Sequence, residues 1–92
     1  MDYEALVKTI TLSLVTKPEV VEVTSSKDRN GVIRVLVTVA EEDTGRVIGH
    51  RGATINAIRQ LARVASVKTG EIVEVDVAET DSRKAARVRY DA

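Results

Sequence analysis

The run Val32-Ile33-Arg34-Val35-Leu36-Val37-Thr38-Val39 constrains the fold of this chain more than any other stretch. Its residues are mostly β-branched, which favours extended backbone. A period of two sets Ile33, Val35, Val37 and Val39 on one face. Arg34 and Thr38 lie on the other, beside Val32 and Leu36. Upstream, residues 20–24 make a shorter β-branched run. Ser25-Ser26-Lys27-Asp28-Arg29-Asn30-Gly31 lies between the two, and Asn-Gly is a strong turn signal. An antiparallel hairpin is predicted, with one apolar face for helices to cover.

Residues 3–16 read as one such helix. Tyr3, Leu6, Val7, Ile10 and Leu14 recur at helical spacing. Asp2 stands at the N-cap, Lys17 near the C-terminal end, and Pro18 stops the helix. Thr9, Thr11 and Thr16 are weak helix formers, so the amphipathic face must supply the stability. Residues 41–48 read as a short helix; Glu41, Glu42 and Asp43 suit the positive end of its dipole, and Gly45 weakens it. Residues 53–67 read as a long helix with an apolar stripe of Ile55, Ile58, Leu61, Ala62 and Ala65. Arg59 and Arg63 lie four apart on another face, and Gly70 is the expected stop. Residues 72–78 alternate, with Val73, Val75 and Val77 inward, Glu74 and Asp76 outward, and Ile72 as the exception.

The order is therefore αββααβ. The helical crossover between the second and third strands calls for a parallel neighbour reached right-handedly. An α+β domain over residues 1–80 is expected, with a three-stranded mixed sheet and three helices packed on one face. Residues 81–92 have little apolar content and read as a mobile basic tail.

Composition narrows the function. Ninety-two residues make one domain with a small core, which here is aliphatic, with no Phe and no Trp. The absence of cysteine removes disulfides, thiolate metal sites and a thiol nucleophile. An acidic start, Met1-Asp2-Tyr3-Glu4, and no long apolar run argue against a signal peptide or membrane span, so a cytoplasmic protein is expected. A single His, no carboxylate pair in a recognisable frame and no Walker-type lysine after the glycines argue against an enzyme. No cofactor or metal is expected.

Net charge is zero, but its distribution is segregated. Thr44 to Gly70 contains no Asp or Glu but holds Arg46, Arg51, Arg59, Arg63 and Lys68. Glu71 to Asp81 reverses the sign, and Arg83, Lys84, Arg87 and Arg89 reverse it again. Such a pattern can present a positive face on a neutral protein. It also fits solvated faces with local ion pairs.

Gly49-His50-Arg51-Gly52 sits in the basic segment, between the short and long helices. Glycine there admits positive φ and close backbone approach. The long helix points its first amides at the loop, so a phosphate can accept from Ala53 or Thr54, with a charge-assisted contact from Arg51. A bare Gly-x-x-Gly equally fits a plain helix–turn–helix corner.

The flanks break the tie. Asp43-Thr44-Gly45-Arg46-Val47-Ile48-Gly49-His50-Arg51-Gly52-Ala53-Thr54-Ile55-Asn56-Ala57-Ile58-Arg59 closely resembles the signature of KH domains. It is most similar to the small single-domain bacterial KH proteins of the KhpA (YlqC-like) family. The resemblance reaches to about Ala78, in the element order of a type II KH fold. KH loops clamp the backbone of about four nucleotides. The resemblance thus implies that Gly49, His50, Arg51 and Gly52 hold phosphates of single-stranded RNA. It implies a base groove between the long helix and the central strand. Val47, Ile48, Ile55 and Ile58 are candidates for its floor, with core the better reading of Ile58; Arg46 and Arg59 are candidates for its rim. It further implies a homodimer, a heterodimer with a larger KhpB/Jag-like KH protein, and a role in post-transcriptional regulation.

One position departs from the family, which commonly carries Lys or Arg at one or both central loop positions. Here His50 precedes Arg51, leaving one fixed positive charge. A softer grip at neutral pH is predicted, gaining as pH falls through about 6.5, the unperturbed histidine value. Low-specificity RNA binding is the leading function. The alternative is a dimerising adaptor with little RNA contact, which would be expected to lose the glycines or cations that this loop keeps.

Overall fold

A computed structural model describes residues 2–78. The predicted hairpin is its starting point. Strands β1 (Glu22–Lys27) and β2 (Ile33–Thr38) pair antiparallel, from Glu22 opposite Thr38 to Lys27 opposite Ile33. Asp28 shapes the turn: its Oδ1 accepts from the amides of Asn30 and Val32 at 2.8 and 3.0 Å. Strand β3 (Val73–Val77) runs parallel to β2, from Ile33 beside Val73 to Val37 beside Val77. The sheet order is β1-β2-β3, mixed as expected.

One sheet face is apolar. Val35, Val37, Val73 and Val75 are buried there and share a core with Tyr3, Val7, Val47, Ile55, Ile58 and Ala62. Burying an aliphatic side chain of this size contributes roughly 1.5–3 kcal/mol. The opposite face exposes Glu22, Thr24, Arg34, Leu36, Glu74 and Asp76. Arg34 pairs there with Glu74 and, at 3.3 Å, with Asp28.

Helices α1 (Tyr3–Leu12), α2 (Thr44–Ile48) and α3 (Ala53–Ser66) cover the apolar face. Helix α1 packs over β1 and β2, and α3 packs over β3. The Asp2 carboxylate caps α1 by accepting from the Ala5 amide at 3.0 Å. Tyr3 sinks its ring into the core, while its hydroxyl donates to Glu71 at 3.0 Å and lies 3.2 Å from Thr69 Oγ1. The first helix is thereby tied to the far end of the crossover.

Three boundaries differ from expectation. Helix α1 ends at Leu12, not at residue 16. The Thr9 and Ser13 hydroxyls bond back to the Ala5 and Thr9 carbonyls, competing with the helix ladder. The final turn tightens as the Ser13 and Leu14 amides reach Ile10 and Thr11. Strand β1 starts at Glu22, because Pro18–Val20 forms a 3₁₀ turn and pairing with β2 sets the register. The short helix divides into a 3₁₀ turn, Glu41–Asp43, and α2. The basic tail expected over residues 81–92 lies outside the described residues.

Candidate nucleic-acid interface

Helix α2 closes with the Gly49 amide donating to the Gly45 carbonyl at 2.8 Å, and the chain then turns at Gly49 with φ 80° and ψ 170°. A Cβ at Gly49 would lie 2.2 Å from Thr54 Oγ1 and 2.6 Å from the Thr54 amide nitrogen, so no other residue fits. Gly52 differs: at φ 77° and ψ 12°, a Cβ would meet nothing closer than 3.9 Å. Conformation, not space, asks for glycine there. Between them Arg51 is itself left-handed, at φ 56° and ψ 30°.

The loop closes on itself. The Gly52 amide donates to the Gly49 carbonyl at 3.1 Å, and the Ala53 amide to the His50 carbonyl. This corrects the expectation that the Ala53 amide faces a phosphate; the Thr54 amide is packed against Gly49. The His50 and Arg51 side chains face solvent. Arg51 has no ion-pair partner among the described residues. Gly52 gives α3 no side-chain cap, so the positive end of the helix stays open beside both side chains.

A left-handed backbone costs a non-glycine residue about 1–2 kcal/mol. Arg51→Gly removes that strain together with the fixed charge. Its stability in a urea melt is expected to be unchanged or raised by about 1 kcal/mol, while oligonucleotide affinity falls. A clear loss of stability would show instead that the Arg51 side chain braces the loop.

A buried carboxylate fixes the root of α2. Asp43 is fully buried. Its Oδ1 accepts from the Thr16 amide and hydroxyl, both at 2.9 Å, and its Oδ2 from the Lys17 amide at 3.0 Å. Arg46 Nε lies 3.7 Å from Oδ1. Burial alone would raise the Asp43 pKa; the hydrogen bonds from Thr16 and Lys17, with the Arg46 charge, outweigh it and hold the group below the usual carboxylate range. The segment leaving α1 is thus tied to the helix that carries the loop. The sequence reading placed Asp43 only in the field of a helix dipole, since no local pattern signals so distant a partner.

Beside the loop, α3 lies over β3, an edge strand, and not over central β2 as expected. Helix α1 already covers β2, and the crossover delivers α3 alongside the strand that follows it. Between α3 and β3 runs a cleft of about 250 Å³, lined by Arg59, Arg63, Val73, Glu74, Val75 and Asp76. Arg59 spans it. Its Nε donates to the Val75 carbonyl at 2.9 Å, Nη2 to Asp76 Oδ1 at 3.2 Å and Nη1 to Asn56 Oδ1 at 3.3 Å.

A family model described as KhpA/KhpB, KH domain matches residues 4–77. This chain belongs to that KH-domain family. It is 40% identical over 72 residues to the RNA-binding protein KhpA of Caldanaerobacter subterraneus subsp. tengcongensis, covering 78% of this chain and 95% of the relative. To the RNA-binding protein KhpA of Clostridium perfringens it is 39% identical over 72 residues, with the same coverage of each. To that of Chlamydia trachomatis serovar D it is 41% identical over 68 residues, covering 74% of this chain and 83% of the relative. No solved structure matches it.

In this KH domain the expected interface residues separate by burial. Gly49, His50, Arg51 and Gly52 make the loop, with Ala53 exposed and Thr54 half-buried beneath Gly49. Val47 and Ile55 are core, like Ile58, and support the loop from behind; they do not floor a groove. The helical period that made them candidates turns them inward. Ile48 is half-buried. Arg46 is exposed and turned toward Asp43, while Arg59 is engaged across the cleft. Arg63, read only as a charge on a helix face, lines the cleft with Arg59; their spacing of four was the available signal.

Proposed function

We propose that this KH domain binds single-stranded RNA with low sequence specificity, gripping the phosphate backbone with Gly49-His50-Arg51-Gly52. One observation carries the reading. A turn whose shape excludes any side chain at Gly49 presents His50 and Arg51 to solvent at the open end of α3. The relatives' name, RNA-binding protein KhpA, supports it. Post-transcriptional regulation in the cytoplasm, without catalysis, belongs to the same proposal. No described helix is long and apolar enough to cross a membrane. A few phosphate contacts imply modest affinity and a shallow salt slope.

Homodimerisation is part of the proposal, supported by an apolar surface on α3. Leu61 and Val64 are 52% and 69% exposed. By helical period they lie on the flank turned away from Arg59 and Arg63, so a dimer formed there leaves the clefts open. Two loops on one RNA would raise affinity by avidity. Heterodimerisation with a larger KhpB/Jag-like KH protein rests on family membership.

The test replaces both exposed loop side chains, His50→Asp with Arg51→Asp. Circular dichroism is expected to stay native, while RNA affinity falls at least roughly tenfold through lost charged hydrogen bonds and repulsion. Unchanged RNA retention by the folded double variant would assign the domain to protein pairing. His50→Ala isolates the histidine. The wild type is expected to bind more tightly at pH 6 than at pH 8 at constant salt, and the variant to show no such gain.

A further inference from the structure

The geometry points to base selection in the cleft between α3 and β3, favouring bases that present carbonyl oxygens, uracil and guanine, over cytosine and adenine, which present amino groups. This rests on the RNA-binding reading above and gives it a bias at one base position. The bonds flanking the β2–β3 ladder fix its phase: the Ile33 amide donates to Ile72 at 2.8 Å and the Ala78 amide to Val37 at 2.6 Å. In a parallel ladder alternate residues turn both backbone groups to the neighbour. Ile72, Glu74, Asp76 and Ala78 therefore face β2, and Val73, Val75 and Val77 turn theirs to the free edge.

Arg59 changes what that edge offers. It occupies the Val75 carbonyl and Asp76 Oδ1, two acceptors that an exocyclic amino group would seek. A guanidinium carries five N–H groups, and three of Arg59's are occupied, so two remain. Arg63 brings a second guanidinium with no ion-pair partner among the described residues. With the outward amide of Val75, the cleft holds donors in excess of unoccupied acceptors. Uracil O4 and guanine O6 meet those donors. Cytosine N4 and adenine N6 set donor against donor.

Oligo(U) and oligo(C) of equal length test this cleanly. They carry equal phosphate charge and differ at the pyrimidine 4-position and in N3 protonation. Fluorescence anisotropy at pH 8 and fixed salt is expected to show oligo(U) bound roughly fivefold or more tightly. Arg59→Lys keeps the charge but cannot span three acceptors, so the ratio is expected to fall to near one with the salt dependence retained. Equal wild-type affinities would overturn the inference whether or not the variant folds. So would an unchanged ratio in folded Arg59→Lys. Binding of neither strand by the wild type would remove the RNA-binding reading itself, a result distinct from equal binding.

Discussion

Gly49→Ala is expected to lose roughly 3 kcal/mol or more of stability and nearly all RNA binding. Two independent costs combine. At φ 80° and ψ 170° the backbone occupies a region essentially closed to residues with a Cβ. The new methyl would also press on Thr54, 2.2 Å from its hydroxyl and 2.6 Å from its amide nitrogen. A side chain can rotate away, but a backbone nitrogen at the start of α3 moves only with the helix. Thr54→Ala in the same chain is therefore expected not to rescue the variant. Gly52→Ala is the control: its Cβ meets open space, so only the left-handed conformation is penalised, by about 1–2 kcal/mol. Urea melts of the two single variants, with filter binding of a labelled RNA, decide the matter. Equal stabilities would mean that the approach to Thr54 relaxes and that Gly49 is present for conformation alone.

Asp43→Ala is expected to lower the melting temperature by roughly 10 °C or more. The change strands the amides of Thr16 and Lys17 and the Thr16 hydroxyl, three donors that now share one carboxylate. Stranded buried donors cost more than the bonds they lose. Asp43→Asn is expected to fall between, since its NH₂ must face one of those donors. Thr16→Val, which keeps the amide bond and drops the hydroxyl bond, is expected to cost least. The effect has a pH signature. A carboxyl held below its ordinary value stabilises the fold fully above its unfolded pKa, about 3.9. That contribution disappears as pH falls through the lowered folded value. Asp28, held down chiefly by the Val32 amide, and Glu71, chiefly by the Thr69 hydroxyl, add in the same direction. Melts at pH 7 and pH 3 are expected to show the gap between wild type and Asp43→Asn narrowing in acid. A gap independent of pH would mean that packing around Asp43, not its charge, anchors α2.

What was legible in the sequence was whatever repeats locally. The period-two valines of β2 and β3 and the period-3.6 stripe of α3 gave the elements, and the crossover length gave the parallel pairing. The loop was legible because the side chains flanking its glycines spell a family pattern. Features set by distant partners were not. Thr16 reads as the end of a helix until Asp43, 27 residues on, claims it. Val47 and Ile55 read as groove floor until the sheet beneath them shows which way they turn. Arg59 reads as a free cation until β3 arrives with an unpaired carbonyl and a carboxylate for it.

The parallel pairing has a consequence for how the chain is made. Strand β2 is central, yet its second neighbour begins 40 residues after it, Ile33 pairing beside Val73. On a ribosome the hairpin emerges early and waits with one edge of β2 bare and its valine face partly uncovered. The hydroxyl of Tyr3, near the first residue synthesised, has its partners only at Thr69 and Glu71. Neither end of the domain can settle until β3 has left the exit tunnel. Folding must then be a late, nearly all-at-once event, and a nascent chain stalled before Val73 is the species most exposed to capture by a chaperone or to pairing with another chain.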